Sequence, residues 1–136
     1  MQNIINLDLK RAEAARLYAT EITEKKSEYK AAVEKMPMLI YGNGLAAAIA
    51  FQKAKNPKCY QHAFGWMKKY QQDYFIFTKA DIFTVENNFL QDILSLESTE
   101  YRLATKEMMA FLTWLKRIVG AWDKIETVNN EKEEGE

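Results

Sequence analysis

The sequence predicts an all-α fold, a compact bundle of five to six helices with a long helix at each end. Three observations carry that expectation. Tyr101, Met108, Leu115 and Trp122 fall seven residues apart, and Ala104, Phe111, Ile118 and Ile125 follow each by three. Four consecutive repeats of this spacing commit one face of a long helix to a core. Apolar residues also recur at three- and four-residue steps over about 6–35, and no third buried strand follows the two short stretches that could be read as strands. With 136 residues, 48% hydrophobic and 28% charged, the chain is long enough for one domain with a real core. The domain is expected over 1–128, followed by an acidic disordered tail at 129–136.

Along the chain, Leu9, Ala12, Ala19, Ile22, Tyr29 and Val33 mark the first long helix, about 6–35, with Asn6 or Asp8 as its cap. Pro37 is expected to stop it, because a residue before proline avoids the helical region. The second helix starts near Pro37–Leu39 or after Gly44. It runs to Lys55 on the strong helix formers Ala46, Ala47, Ala48 and Ala50, and Asn56-Pro57 ends it. The third covers about 58–74, with Tyr60, Phe64, Met67, Tyr70 and Tyr74 as its apolar stripe and Lys58, His62 and Lys69 facing elsewhere. The run YFIFTKADIFT (74–84) reads either as a short strand or as an irregular apolar connector. A fourth helix, about 85–96, follows a Thr84 cap and turns Phe89, Leu90, Ile93 and Leu94 inward. The fifth is the heptad helix, capped by Ser98 or Thr99, with Glu97 and Glu100 at the positive end of its dipole.

Composition closes off several classes of function. No run of about 18 apolar residues exists for a membrane helix, and no basic-then-apolar signal pattern opens the chain. Cys59 is the single cysteine, so no internal disulfide forms, and the expected setting is the cytoplasm. Gly42-x-Gly44-x-x-Ala47 spells a dinucleotide-binding turn, with MLIY and YFIF as strands and Asp81 as the ribose acid. Against it, no third buried strand follows, the flanking material has helical period, and Asn56-Pro57 splits the supposed crossover. Cys59-x-x-His62 is at most half a zinc site, since no other Cys or His exists. Glu21 and Glu24 sit among lysines as a solvated face. No catalytic set, metal site or cofactor site emerges, and the chain is not expected to be an enzyme; a thiol enzyme built on Cys59 is the weakest of the readings.

Charge is what remains. Net charge is zero, yet 131–136 carries four acids against Lys132, residues 51–79 hold six lysines against Asp73, and 81–100 holds five acids and no base. Either the last two segments touch and cancel, or they form a basic face for a polyanion and an acidic face for a neighbouring subunit. With Tyr101 at heptad position a, the outward positions include Arg102, Lys106, Lys116, Arg117 and Lys124 against Asp123 alone. Lys53, Lys55 and Lys58 cluster around Asn56-Pro57. Such cations meet phosphates, and Arg holds one with two donors. Lys53, Lys55, Arg102, Lys106, Lys116 and Arg117 are the candidate phosphate-contacting residues. Trp114 is expected to pack rather than to stack on a base.

Two phrases carry a resemblance. The first has Pro37, Leu39-Ile40, Asn43-Gly44-Leu45, Phe51 and Lys55; the second has Tyr101-Arg102-Leu103-Ala104-Thr105 and Trp114-Leu115-Lys116-Arg117. In this order and separation, over about 8–125, the chain resembles the small helical subunit of the type III-B CRISPR RNA-targeting complex, the Cmr small-subunit family. The resemblance implies a non-catalytic, RNA-binding structural subunit. Its copies would stack as a minor filament beside the other effector subunits and line the groove for guide RNA and target RNA, while backbone subunits cut the target. The acidic 81–100 of one copy would then meet the basic 51–79 of the next. A protein–protein adaptor that never touches nucleic acid is the alternative.

Overall fold

The computed structural model describes the backbone of residues 6–134 and the side chains of residues 6–122. Among them are six α-helices and no strand: α1 (Leu7–Thr20), α2 (Lys26–Asn43), α3 (Leu45–Lys55), α4 (Pro57–Asp73), α5 (Phe89–Ser95) and α6 (Ser98–Glu134), with a 3₁₀ turn at Glu86–Asn88 before α5. The acidic end, 129–136, lies outside the residues whose side chains are described. One apolar cluster takes side chains from all six helices.

The long first helix expected over 6–35 is two helices. Asn6 caps α1 by accepting from the Leu9 amide at 3.2 Å. The chain then leaves the helical path at Glu21, and Lys25 takes a left-handed backbone (φ 54°) before α2 begins. The break has a packing reason. Ala19 and Ile22 on one side of it and Tyr29 and Val33 on the other are all buried, and both helices pack on α6. The three- and four-residue apolar steps run straight through the turn, so the pattern hides it.

Pro37 does not stop a helix; it lies inside α2. Without an N–H it cannot serve the Val33 carbonyl, a loss of about 3 kcal/mol in a helix interior. Val33, Met36 and Ile40 are buried on the same face of α2, and burying each contributes about 1.5–3 kcal/mol. The apolar face therefore outweighs the proline. Leu9 was expected on the core stripe of α1, yet it is 61% exposed.

The G-x-G-x-x-A segment is a helix–helix junction. Gly44 holds φ 91° and ψ 162°, backbone that L residues rarely adopt, and its amide closes α2 on the Ile40 carbonyl at 2.8 Å. A Cβ there would sit 3.2 Å from Tyr101 Oη. That same hydroxyl accepts from the Ala46 amide at 3.0 Å, so the start of α6 is tied to the first turn of α3. Neither MLIY nor YFIF is a strand.

α4 is the central helix, in contact with α1, α2, α3 and α6. Asn56 caps it by accepting from the Cys59 amide at 3.0 Å, and Pro57 occupies the first turn, where no N–H is missed. Because neighbours surround it, its buried arc is wider than the stripe read from the sequence, and His62, expected to face elsewhere, is 3% exposed. The 74–84 stretch is the irregular connector. Phe77, Ile82 and Phe83 fill the core, the Glu100 carboxylate accepts from the Thr78 amide at 2.9 Å, and Asp92 accepts from the Phe83 amide at 3.0 Å. α5, which answers to the helix expected over about 85–96, is shorter than expected. Thr84 does not cap it but donates to the Asp81 carbonyl, and Leu94 is 64% exposed rather than inward. α6 buries Ala104, Met108, Phe111 and Leu115 of the heptad seam, joined by Leu112 and Val119.

Candidate nucleic-acid interface

At about 100° per residue, Arg102, Lys106, Lys116 and Arg117 fall within an arc of about 100° on α6 and along about 22 Å of its length. All four are exposed. Both acids between 98 and 122 turn inward: Glu100 is 9% and Glu107 4% exposed. The exposed charges that α6 itself presents between 98 and 122 are all positive and form a stripe, with Asp8 of α1 near enough to Arg117 for the two charges to interact. Arg102, Lys106 and Lys116 have no hydrogen bond or ion pair among the described residues, and Arg117 lies 5.2 Å over the Trp114 ring. Trp114 packs, as the sequence reading expects: it is half-buried and its indole N–H donates to Asp8 Oδ1 at 3.0 Å. That bond, ahead of the Arg11 guanidinium, lowers the Asp8 pKa.

The stripe is held in place from behind. Arg11 of α1 grips Glu107 with two donors, Nε to Oε2 and one terminal nitrogen to Oε1, each at 2.7 Å. Trp66 of α4 donates its indole N–H to the same Oε2 at 2.9 Å, and its ring stacks on Phe111 at 5.4 Å. The bond to Glu107 raises the Arg11 pKa further. Three helices therefore meet on one carboxylate. Nothing in the heptad reading singled out this group; its one trace is an acid beside the seam, at the same heptad position as Trp114.

Lys53 and Lys55 stand apart from the stripe, at the end of α3. Lys53 Nζ is 3.3 Å from the Asn87 carbonyl and 5.6 Å from the Tyr60 ring centre. Tyr60 also donates its hydroxyl to the Glu86 carbonyl. So the lysine-rich 51–79 and the acidic 81–100 touch within one chain. Of the five acids, Asp92 and Glu100 are spent on internal amides, which leaves Asp81, Glu86 and Glu97 on the surface. Lys55 borders a groove of about 600 Å³ that also holds Glu21, Glu24, Glu28, Lys25 and Lys58. This mixed-sign corner is a poorer polyanion seat than α6.

Cys59 is buried, and both ring nitrogens of His62 are taken by residues other than Cys59. Burial pushes the Cys59 thiol up to about 12, far from a reactive thiolate. Among the described residues no group of three His, Cys, Asp or Glu side chains could hold a metal ion, and no helix is long and apolar enough to cross a membrane. His62 stacks on Tyr18 at 4.6 Å and sits between two partners, Tyr29 Oη on Nδ1 at 2.6 Å and Glu21 Oε1 on Nε2 at 3.0 Å. The carboxylate can only accept, so Nε2 carries the proton and Nδ1 accepts from Tyr29. Burial lowers the His62 pKa below 6.5, with Glu21 opposing. The fold thus favours neutral imidazole. Its contribution is complete above about pH 6.5 and is lost as pH falls from there through the lowered folded value. His62 is the chain's single histidine. Urea unfolding between pH 7.5 and 5.5 is expected to show stability falling with pH, and His62→Gln to flatten that slope; an unchanged slope in the variant would assign it elsewhere.

The family model described as CRISPR-associated protein (Cas_Cmr5) matches residues 7–132. No curated protein and no solved structure matches the chain.

Proposed function

The chain belongs to the Cas_Cmr5 family of CRISPR-associated proteins, and from that premise we propose that it is a non-catalytic structural subunit of a type III-B effector complex that lines the guide–target RNA groove with the exposed face of α6. The observation that supports the reading is the stripe of Arg102, Lys106, Lys116 and Arg117, which faces out with no exposed carboxylate on α6 from Ser98 to Trp122. Phosphates spaced along an RNA backbone suit cations spread over about 22 Å of helix. Chemistry falls to other subunits: the chain's one thiol is buried and its one imidazole is committed to Tyr29 and Glu21. Lys53 and Lys55 serve as secondary contacts. Copies of the chain stack on one another, with Asp81, Glu86 and Glu97 of one copy available to Lys55, Lys58 and Lys79 of the next.

The test is recovery of the tagged chain from its host, followed by zero-length crosslinking of the complex to its RNA. Guide RNA and the large subunits are expected to accompany it, with crosslinked peptides from 102–117. A complex that carries guide RNA but yields no crosslink on α6 would leave the protein–protein adaptor as the better reading.

A further inference from the structure

On the far side of α6 from the stripe, Trp122 lies about 200° round the helix from Arg102. There the turn between α1 and α2 meets α6 across an open groove of about 490 Å³. Arg16, Thr20, Thr23, Lys26, Ile118 and Trp122 line it, and no carboxylate among the described residues does. Arg16 and Lys26 are exposed and have no hydrogen bond or ion pair among the described residues. Lys26 instead holds its ammonium 5.3 Å above the indole of Trp122. The indole itself is anchored: it is half-buried and lies 6.1 Å from the Tyr29 ring, tilted by 37°.

The three tryptophans differ here. Trp66 is fully buried, and Trp114 is pinned by its bond to Asp8 with a guanidinium over its ring. Trp122, beside Tyr29, carries a flexible lysine over its ring in a groove with no carboxylate among the described residues. An ammonium over an aromatic face marks where the ring's electron density is open to a visitor. A solvated four-carbon side chain swings away at small cost. A base entering in its place stacks on the indole, and any base will do, since each has a π-face. The displaced Lys26 and Arg16 are then within the same groove as the flanking phosphates.

We infer that this groove takes one unpaired nucleobase of single-stranded RNA, stacked on Trp122, with Arg16 and Lys26 holding the phosphates on either side. The site is separate from the α6 stripe and adds base contact to a surface that otherwise meets backbone alone; it rests on the reading above only for the polymer being RNA.

An eight-nucleotide oligouridylate and an abasic ribose-phosphate oligomer of equal length are titrated against the full chain by tryptophan fluorescence and by anisotropy. The oligouridylate is expected to quench and to bind about tenfold more tightly than the abasic oligomer. Trp122→Leu is expected to erase that difference without changing affinity for the abasic oligomer. Arg16→Gln with Lys26→Gln, both at exposed positions, weakens both ligands and remains informative if the Trp122 variant fails to fold. Equal affinity of the two oligomers for the unaltered chain would overturn the inference, and so would equal quenching by an oligoglutamate, which would make the groove an acidic-peptide site. Arg102→Gln with Lys106→Gln separates the two proposals: it should weaken an RNA duplex and leave the tenfold ratio intact. Duplex binding that does not respond would count against the stripe alone.

Discussion

Glu107→Ala is expected to lower the stability of the fold by about 3–5 kcal/mol, a large share of the roughly 5–15 kcal/mol that a domain of this size possesses. The alanine removes the acceptor of two Arg11 donors and of the Trp66 indole N–H at once. The Arg11 side chain is 16% exposed and that of Glu107 4%, so water cannot replace what is lost. The largely buried guanidinium, left with only the exposed Asp8 carboxylate at 3.2 Å, carries most of the cost. Surface pairs give the contrast. Lys69–Asp73, with both side chains 47% exposed, should yield no more than about 0.5 kcal/mol when cut. Pairing Glu107→Gln with Arg11→Met separates charge from packing: the amide oxygen still accepts from Trp66, and no ion is stranded. That double variant should recover most of the loss. Urea unfolding followed by far-ultraviolet dichroism and by tryptophan fluorescence measures all three. A change below about 1 kcal/mol for Glu107→Ala would mean that the carboxylate is solvated and that α1, α4 and α6 are held by apolar contact alone.

How much of this was legible in the residues depended on which force set each feature. The α6 seam was, because Ala104, Met108, Phe111 and Leu115 repeat in a period that a single long helix alone satisfies. The connector's apolar character was also visible, although its path was not: its backbone is fixed by Asp92 and Glu100, acids that look solvated in the sequence. The two errors at Pro37 and at the α1–α2 turn share a cause. Local preference forecast a stop at the proline and continuity before it, whereas burial of Ile22, Tyr29 and Met36 against neighbouring helices decided both. His62 was misplaced for a related reason, since an apolar stripe drawn from one helix cannot show that α4 is enclosed on several sides. At the candidate interface, heptad position alone turned four cations outward correctly. What it could not show was that Glu107 is taken out of the field by Arg11 and Trp66 and Glu100 by Thr78, and that the Lys53 ammonium already has a carbonyl partner.

That last difference makes a prediction with a large effect. Changing Arg102, Lys106, Lys116 and Arg117 together to Gln should reduce the salt dependence of RNA duplex binding by a slope of about 3–4, at about 0.9 for each phosphate released. At low salt the affinity should fall about a hundredfold, since exposed charge contacts contribute on the order of 0.5–1 kcal/mol each. The four side chains are on the surface and three of them touch no described partner, so the fold should survive, which thermal unfolding checks directly. Lys53→Gln with Lys55→Gln should do much less. Lys53 must leave the Asn87 carbonyl and the Tyr60 ring to reach a phosphate, and Lys55 shares its groove with Glu21, Glu24 and Glu28, whose field repels one. The loss should be the same for duplexes of different sequence, because cations on an open helix face meet backbone and not base edges. If the lysine pair instead proves as damaging as the α6 quartet, then the RNA crosses the end of α3, and the basic face of α6 is turned toward protein.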